Sequence, residues 1–203
     1  FVSYSTGFAF ETPDRLAAFD TETGKRLAWN PEPAPAAGTH FDALAVSCGK
    51  VFLGGNFTKI GGKSRNGLVA LDPFTGDVAS STNLNVFGRT PNAPGNIFRI
   101  LATPDANLIY VAGGFGAIGN LSRTNLAAIA TVTETVTPWT PQVGGFKDFA
   151  VSSLAASGNT LFLGGAFRPL EGPYSIGLAS VDRVTGVLTT LNALSDPDVK
   201  AAV

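Results

Sequence analysis

The chain has 203 residues, 44% of them apolar and 14% charged, which suits a folded domain and excludes intrinsic disorder. A net charge of −1 supplies neither the basic footprint of a nucleic-acid binder nor a polybasic face for a membrane surface. No apolar run approaches the roughly 18 residues of a membrane-spanning helix. The 24 glycines and 13 prolines exceed the roughly 12% that the two usually sum to, and they predict many turns.

Taken in order, the chain repeats itself. An apolar strand ending in small residues and glycines occurs as Val51-Phe52-Leu53-Gly54-Gly55-Asn56-Phe57, as Ile109-Tyr110-Val111-Ala112-Gly113-Gly114-Phe115 and as Leu161-Phe162-Leu163-Gly164-Gly165-Ala166-Phe167. The opening Phe1 to Phe8 is a degraded copy. A strand-turn-strand follows each: Leu16 to Gly24, Leu68 to Gly76 and Leu178 to Gly186 share Asp-x-x-Thr-Gly, while Leu126 to Ala130 has lost the Asp and the Gly. Leu16, Leu68, Leu126 and Leu178 are spaced by 52, 58 and 52 residues. A short strand precedes each glycine strand (Phe41 to Val46, Phe98 to Ala102, Val151 to Ala155), and Val78 to Leu84, Val136 to Pro141 and Val187 to Leu194 supply a fourth. The runs are rich in Val, Leu, Phe and Thr, are bounded by Gly, Asn, Asp and Pro, and show no helical period.

Four strands every 50 to 60 residues predict an all-β fold, a β-propeller of four-stranded antiparallel blades. The blade units run 1–30 (partial), 31–84, 85–143, 144–194 and 195–203 (partial), together one domain or part of one. Residues 199–203 resemble the first-strand segment Phe41 to Val46, so a closed four-bladed ring is one expectation and an excerpt of a larger propeller the other. The chain has no methionine. Residue 1 therefore reads as a boundary left by processing or cleavage, which favours the excerpt. The glycine pairs are expected to permit close backbone approach. The phenylalanines at 57, 115 and 167 are expected to pack between blades. The aspartates should cap turns in which Gly supplies positive φ.

Residues 54 to 76, Gly-Gly-Asn-Phe-Thr-Lys-Ile-Gly-Gly-Lys-Ser-Arg-Asn-Gly-Leu-Val-Ala-Leu-Asp-Pro-Phe-Thr-Gly, resemble the delta-60 type β-propeller repeat, and Leu16 to Pro31 resembles the end of such a blade. The resemblance covers nearly the whole chain and implies an extracellular or cell-surface setting. It implies no catalytic residue. Thr131 to Thr135 and Pro169 to Ser175 depart from the pattern. The Ala-x-Asp-x-x-Thr-Gly-x-x-x-x-Trp run from Ala18 to Trp29 also resembles the tryptophan-docking repeat of quinoprotein propellers, where it locks blades together. No adjacent Cys pair or metal constellation accompanies it, and no cofactor is expected.

Candidate site residues are few. His40, the single histidine, reads as loop surface, since nothing in the sequence sets a Ser and an Asp around it. Cys48, the single cysteine, sits at a strand end and can form no intrachain disulfide. Asp20, Asp72 and Asp182 read as turn caps in preference to Ca²⁺ ligands, because no loop has a dense acidic spacing. No metal site is expected. Arg65 and Arg123 occupy equivalent points in the connection between second and third strands; a loop tie or a ligand contact would suit them. Asn56-Phe57-Thr58 and Asn120-Leu121-Ser122 fit the N-glycosylation pattern should the source be eukaryotic.

The function expected is a non-catalytic extracellular module that binds a protein or glycan or builds an assembly. One alternative is a carbohydrate-active enzyme drawing on Glu11, Asp14, Glu32, Glu134, Glu171, Asp196 and Asp198 at a channel mouth, which needs two carboxyls about 5 to 9 Å apart. The other is a fibre or layer joined through terminal strands. Expected partners exclude nucleic acid and a membrane span. Function is expected in departures from the repeat: Thr131 to Trp139, the loop Asn85 to Asn96, and Pro169 to Ser175.

Overall fold

The computed structural model describes residues 16–32, 38–79, 83–90, 93–105, 107–141, 150–166 and 177–189. Among them are fifteen strands and no helix. In chain order, β1 (Phe41–Ser47) pairs with β2 (Lys50–Gly55), and a small hairpin of β3 (Lys59–Ile60) and β4 (Lys63–Ser64) leads to β5 (Leu68–Leu71). After β6 (Val86–Phe87) the pattern repeats as β7 (Asn96–Ala102), β8 (Leu108–Gly114), a hairpin of β9 (Ala117–Ile118) and β10 (Leu121–Ser122), β11 (Leu126–Ala130) and β12 (Thr135–Val136). It repeats once more as β13 (Ala150–Ser157), β14 (Thr160–Ala166) and β15 (Leu178–Asp182). The three main sheets are antiparallel, ordered β1-β2-β5, β7-β8-β11-β12 and β13-β14-β15. Among the described residues no closed barrel or ring forms.

Successive sheets stack face to face, so most strands are buried on both sides. Along β2, Val51 and Leu53 face a cluster with Leu16, Trp29, Val69 and Leu71, while Phe52 faces Ile97, Ile109 and Val111 of the next sheet. Along β8 the alternation recurs: Ile109 and Val111 face back, and Tyr110 and Ala112 face Val151, Leu161 and Leu163. This explains why these strands are unbroken apolar runs; a strand with no solvent face has no polar positions to alternate. Phe57 and Phe115 are buried in the layers ahead of their own sheets, while Phe167 lies outside the described residues.

One glycine of each pair serves the same purpose. Each first strand carries the same irregularity, between Phe41 and Ala43, Ile97 and Arg99, and Val151 and Ser153. Opposite these bulges stand Gly55, Gly113 and Gly165, and a Cβ there would overlap the carbonyl oxygen of His40, Asn96 or Ala150. The close approach is therefore within one sheet. Gly54 answers to its neighbour instead, since a Cβ would come within 2.6 Å of Ile97 Cγ2.

The expected fourth strand Val136 to Pro141 is much shorter than its sequence run, while residues 80–82 and 190–194 of the other two lie outside the described residues. Val78 and Leu188 make single bridges to Leu71 and Val181, and β12 is the two-residue version. One further bond follows in each, from the N–H of Ala79, Thr137 and Thr189 to the carbonyls of Ala70, Ala128 and Ser180. Leu84 belongs to no fourth strand; it is buried in the layer beneath the second main sheet. The opening copy Phe1 to Phe8, residues 195–203 and Gly144-Gly145 lie outside the described residues.

Candidate functional site

The turns closing each third strand set the frame. In Asp20, Asp72 and Asp182 a carboxylate Oδ1 accepts from the backbone N–H three residues on, at 2.7, 2.8 and 2.7 Å. These bonds hold the carboxyls below the ordinary aspartate range: chiefly the Thr23 hydroxyl at Asp20, and the backbone N–H groups of Thr75 and Thr185 at Asp72 and Asp182. The glycines at 24, 76 and 186 sit at φ +67°, +86° and +75°.

The second main sheet breaks that pattern. At the glycine position stands Glu134, at φ +53° and 4% exposed, and at the aspartate position stands Ala130. Glu134 Oε1 accepts from Lys50 Nζ at 2.5 Å, tying this turn to the β1–β2 turn of the preceding sheet. Asn125 repeats the device. It occupies the place held elsewhere by Gly67 and Gly177, has φ +63°, is fully buried, and accepts from Arg89 Nη2 at 2.6 Å. Sequence reading singled out the stretch around Glu134 as a departure but did not anticipate either tie.

Trp29 and Trp139 occupy equivalent points beyond two of these turns. Trp29 is 2% exposed and its Nε1 donates to the Asp72 carbonyl at 3.0 Å, so it seals the seam between its unit and the first main sheet. Trp139 is only half-buried, and its Nε1 has no hydrogen-bond partner. Tyr110 and Arg183 account for the difference. The Tyr110 hydroxyl donates to the Arg183 carbonyl at 3.2 Å, the Arg183 guanidinium lies 5.6 Å from the Tyr110 ring centre, and Trp139 packs edge-on to Tyr110 at 5.2 Å. Among the described residues no hydrogen bond joins the indole to the Asp182 carbonyl, which corresponds to Trp29's acceptor.

What remains is an open cleft of about 600 Å³ between the second and third main sheets. Tyr110 and Trp139 line one wall, Asn159, Arg183 and Thr185 the other, with Thr140 at the rim. Its size falls in the range of small-ligand sites. Arg183 Nη1 donates to the Gly158 carbonyl at 2.7 Å, and among the described residues no carboxylate pairs with it and no aspartate or glutamate lines the cleft.

Other residues weighed from sequence lie elsewhere. Arg65 and Arg123 each donate from Nη1 to the carbonyl of the residue before them, and Arg123 Nη2 reaches the Thr137 carbonyl at 2.7 Å. Asn56 closes the 38–40 loop, its Nδ2 donating to Gly38 O at 2.8 Å and its Oδ1 accepting from His40 N–H. Asn120 is exposed at the tip of the β9–β10 hairpin, and His40 and Cys48 are also exposed. Glu32 is exposed in a turn at φ +45°. Glu11, Asp14, Glu171, Asp196 and Asp198 lie outside the described residues, as does the departure Pro169 to Ser175. Among the described residues no three His, Cys, Asp or Glu side chains gather to hold a metal, and no helix is long and apolar enough to cross a membrane.

No protein-family model and no curated protein matches the chain. Among solved structures, the crystal structure of the computationally designed Ika8 protein is similar, with a TM-score of 0.50 and 17% identity. The match covers 84% of this chain and 40% of that one, so the chain spans well under half of that protein's length. At this identity the likeness is one of fold alone.

Proposed function

We propose that the chain is a β-propeller segment acting as a non-catalytic, extracellular glycan-binding module, with the Trp139 cleft as its binding site. Supporting the propeller reading are the repeated sheets stacked face to face and the packing of first strand on first strand, β1 against β7 and β7 against β13. The extracellular setting rests on the resemblance of residues 54 to 76 to the delta-60 type repeat. The observation that carries the binding reading is the contrast between two equivalent seams: Trp29 closes one, and Trp139 leaves the other open beside Tyr110, Asn159 and Arg183. An indole that packs on the apolar face of a sugar, as the half-buried Trp139 can, bordered by hydroxyl, amide and guanidinium groups, makes a site for a saccharide.

The test is a glycan array probed with the purified chain, repeated with Trp139→Ala. A set of bound glycans lost in Trp139→Ala and retained in Phe74→Ala, a change on the exposed surface, supports the reading. Binding indifferent to Trp139 overturns the site. Release of new reducing ends from any bound glycan overturns the non-catalytic assignment.

A further inference from the structure

The ligand class follows from the charge of the cleft, an inference that rests on the glycan-binding reading above. We infer that the Trp139 cleft selects acidic saccharides, with the Arg183 guanidinium receiving a uronate carboxylate.

Among the described residues the cleft has a cation and no anion. Arg183 lines it with no carboxylate partner among them, held by a single hydrogen bond from Nη1 to Gly158 O and by the Tyr110 ring. The other cationic side chains that meet the neighbouring sheet are matched: Lys50 with Glu134, and Arg89 with the Asn125 amide oxygen. At the equivalent turn of the first main sheet the residue is Pro73, so the arginine is no part of the repeat. Its turn has the same Asp cap as its relatives, which places the guanidinium on a fixed backbone. With Nη1 anchored and Nε buried, the guanidinium keeps its Nη2 N–H groups and the second Nη1 hydrogen for a planar carboxylate. The half-buried Trp139, backed by the buried Tyr110, supplies the surface for the ring that carries that carboxylate, and Asn159, Thr140 and Thr185 supply partners for its hydroxyls. An acidic peptide would share the carboxylate. The indole face of Trp139 suits the apolar face of a sugar ring, so a saccharide fits better.

The experiment is calorimetric titration of the full chain with tetragalacturonate and with its fully methyl-esterified, uncharged counterpart. Expected is at least about tenfold tighter binding of the acid, weakened by added salt. The preference should disappear in Arg183→Gln, persist in part in Arg183→Lys, and be untouched in Arg99→Gln, an exposed arginine outside the cleft. Thermal melting of each variant separates loss of binding from loss of fold. Equal binding of acid and ester, abolished by Trp139→Ala, overturns the acidic class and leaves the glycan reading standing. Binding of a hexaglutamate peptide, with neither saccharide bound, overturns both.

Discussion

Glu134 carries the most testable conflict in the chain, because a side chain stands where three related turns have glycine. A non-glycine residue in the left-handed region costs about 1–2 kcal/mol. The Lys50–Glu134 pair must offset that cost. Breaking a fully buried pair by removing one partner costs about 3–5 kcal/mol. Here the lysine side chain is 24% exposed and the glutamate 4%, so solvent screens part of the interaction and about 1–3 kcal/mol is the expected loss. Glu134→Ala removes the pair and keeps the strained backbone, so it should destabilise the chain by about that amount. Glu134→Gly removes the pair and relieves the backbone, so it should be milder by about 1 kcal/mol.

The decisive arm is the Lys50→Met background. With the lysine gone, Glu134→Gly should be neutral or stabilising by about 1 kcal/mol, reversing its sign. Urea unfolding of the four proteins of the Lys50→Met and Glu134→Gly cycle reads the coupling directly. A coupling below about 0.3 kcal/mol, or an alanine variant as stable as the glycine variant, would refute the reasoning.

Three further outcomes follow from the same geometry. Asp20, Asp72 and Asp182 have carboxyls held below the unfolded value of 3.8 by turn hydrogen bonds, so their contribution is present above that pH and lost as pH falls through the folded value; the melting temperature should drop on acidification below pH 3.8, and less steeply in Asp72→Asn. Gly113→Ala should cost on the order of 3 kcal/mol in chemical denaturation, because its Cβ meets the Asn96 carbonyl, whereas Gly114→Ala beside it meets nothing nearer than 3.8 Å and should be nearly neutral. Trp29→Phe should lose about 1–2 kcal/mol with its bond to Asp72 O, while Trp139→Phe, which discards an unpartnered N–H, should lose less, both by thermal melting.

The strand order and the turns were legible because each rests on local rules repeated several times. Asp-x-x-Thr-Gly states its own hydrogen bonds, and the apolar runs of β2, β5, β8 and β11 announce strands without a wet face. The length of the fourth strand was not legible in the second unit, where β12 ends at Val136, and Leu84 is apolar for the layer it enters, not for a strand. The β3–β4 and β9–β10 hairpins were missed because they are two residues long on each side and carry no period. Gly55, Gly113 and Gly165 are sites of close approach as expected, whereas Gly114 has room for a Cβ, and in the first pair the partner differs between the two members. Gly55 answers to a bulge in its own sheet and Gly54 to Ile97 across the seam, a distinction that spacing alone does not hold.

The cleft was the least legible feature, and the reason is physical. Trp29 and Trp139 have the same spacing from their turns, so the repeat assigns them one role. What separates them is Tyr110 and Arg183, which lie on different strands and meet only after the sheets stack. Each is unremarkable alone: an aromatic in a buried strand, a cation in an exposed turn. Together they hold the seam open, prop the turn through the tyrosine hydroxyl, and leave an indole without its acceptor. A buried N–H with no partner costs about 1–3 kcal/mol, a cost that the closed Trp29 seam shows the fold can avoid. The repeat therefore supplies the walls, and the seam at Trp139, unlike the closed one at Trp29, supplies the cleft proposed as the site.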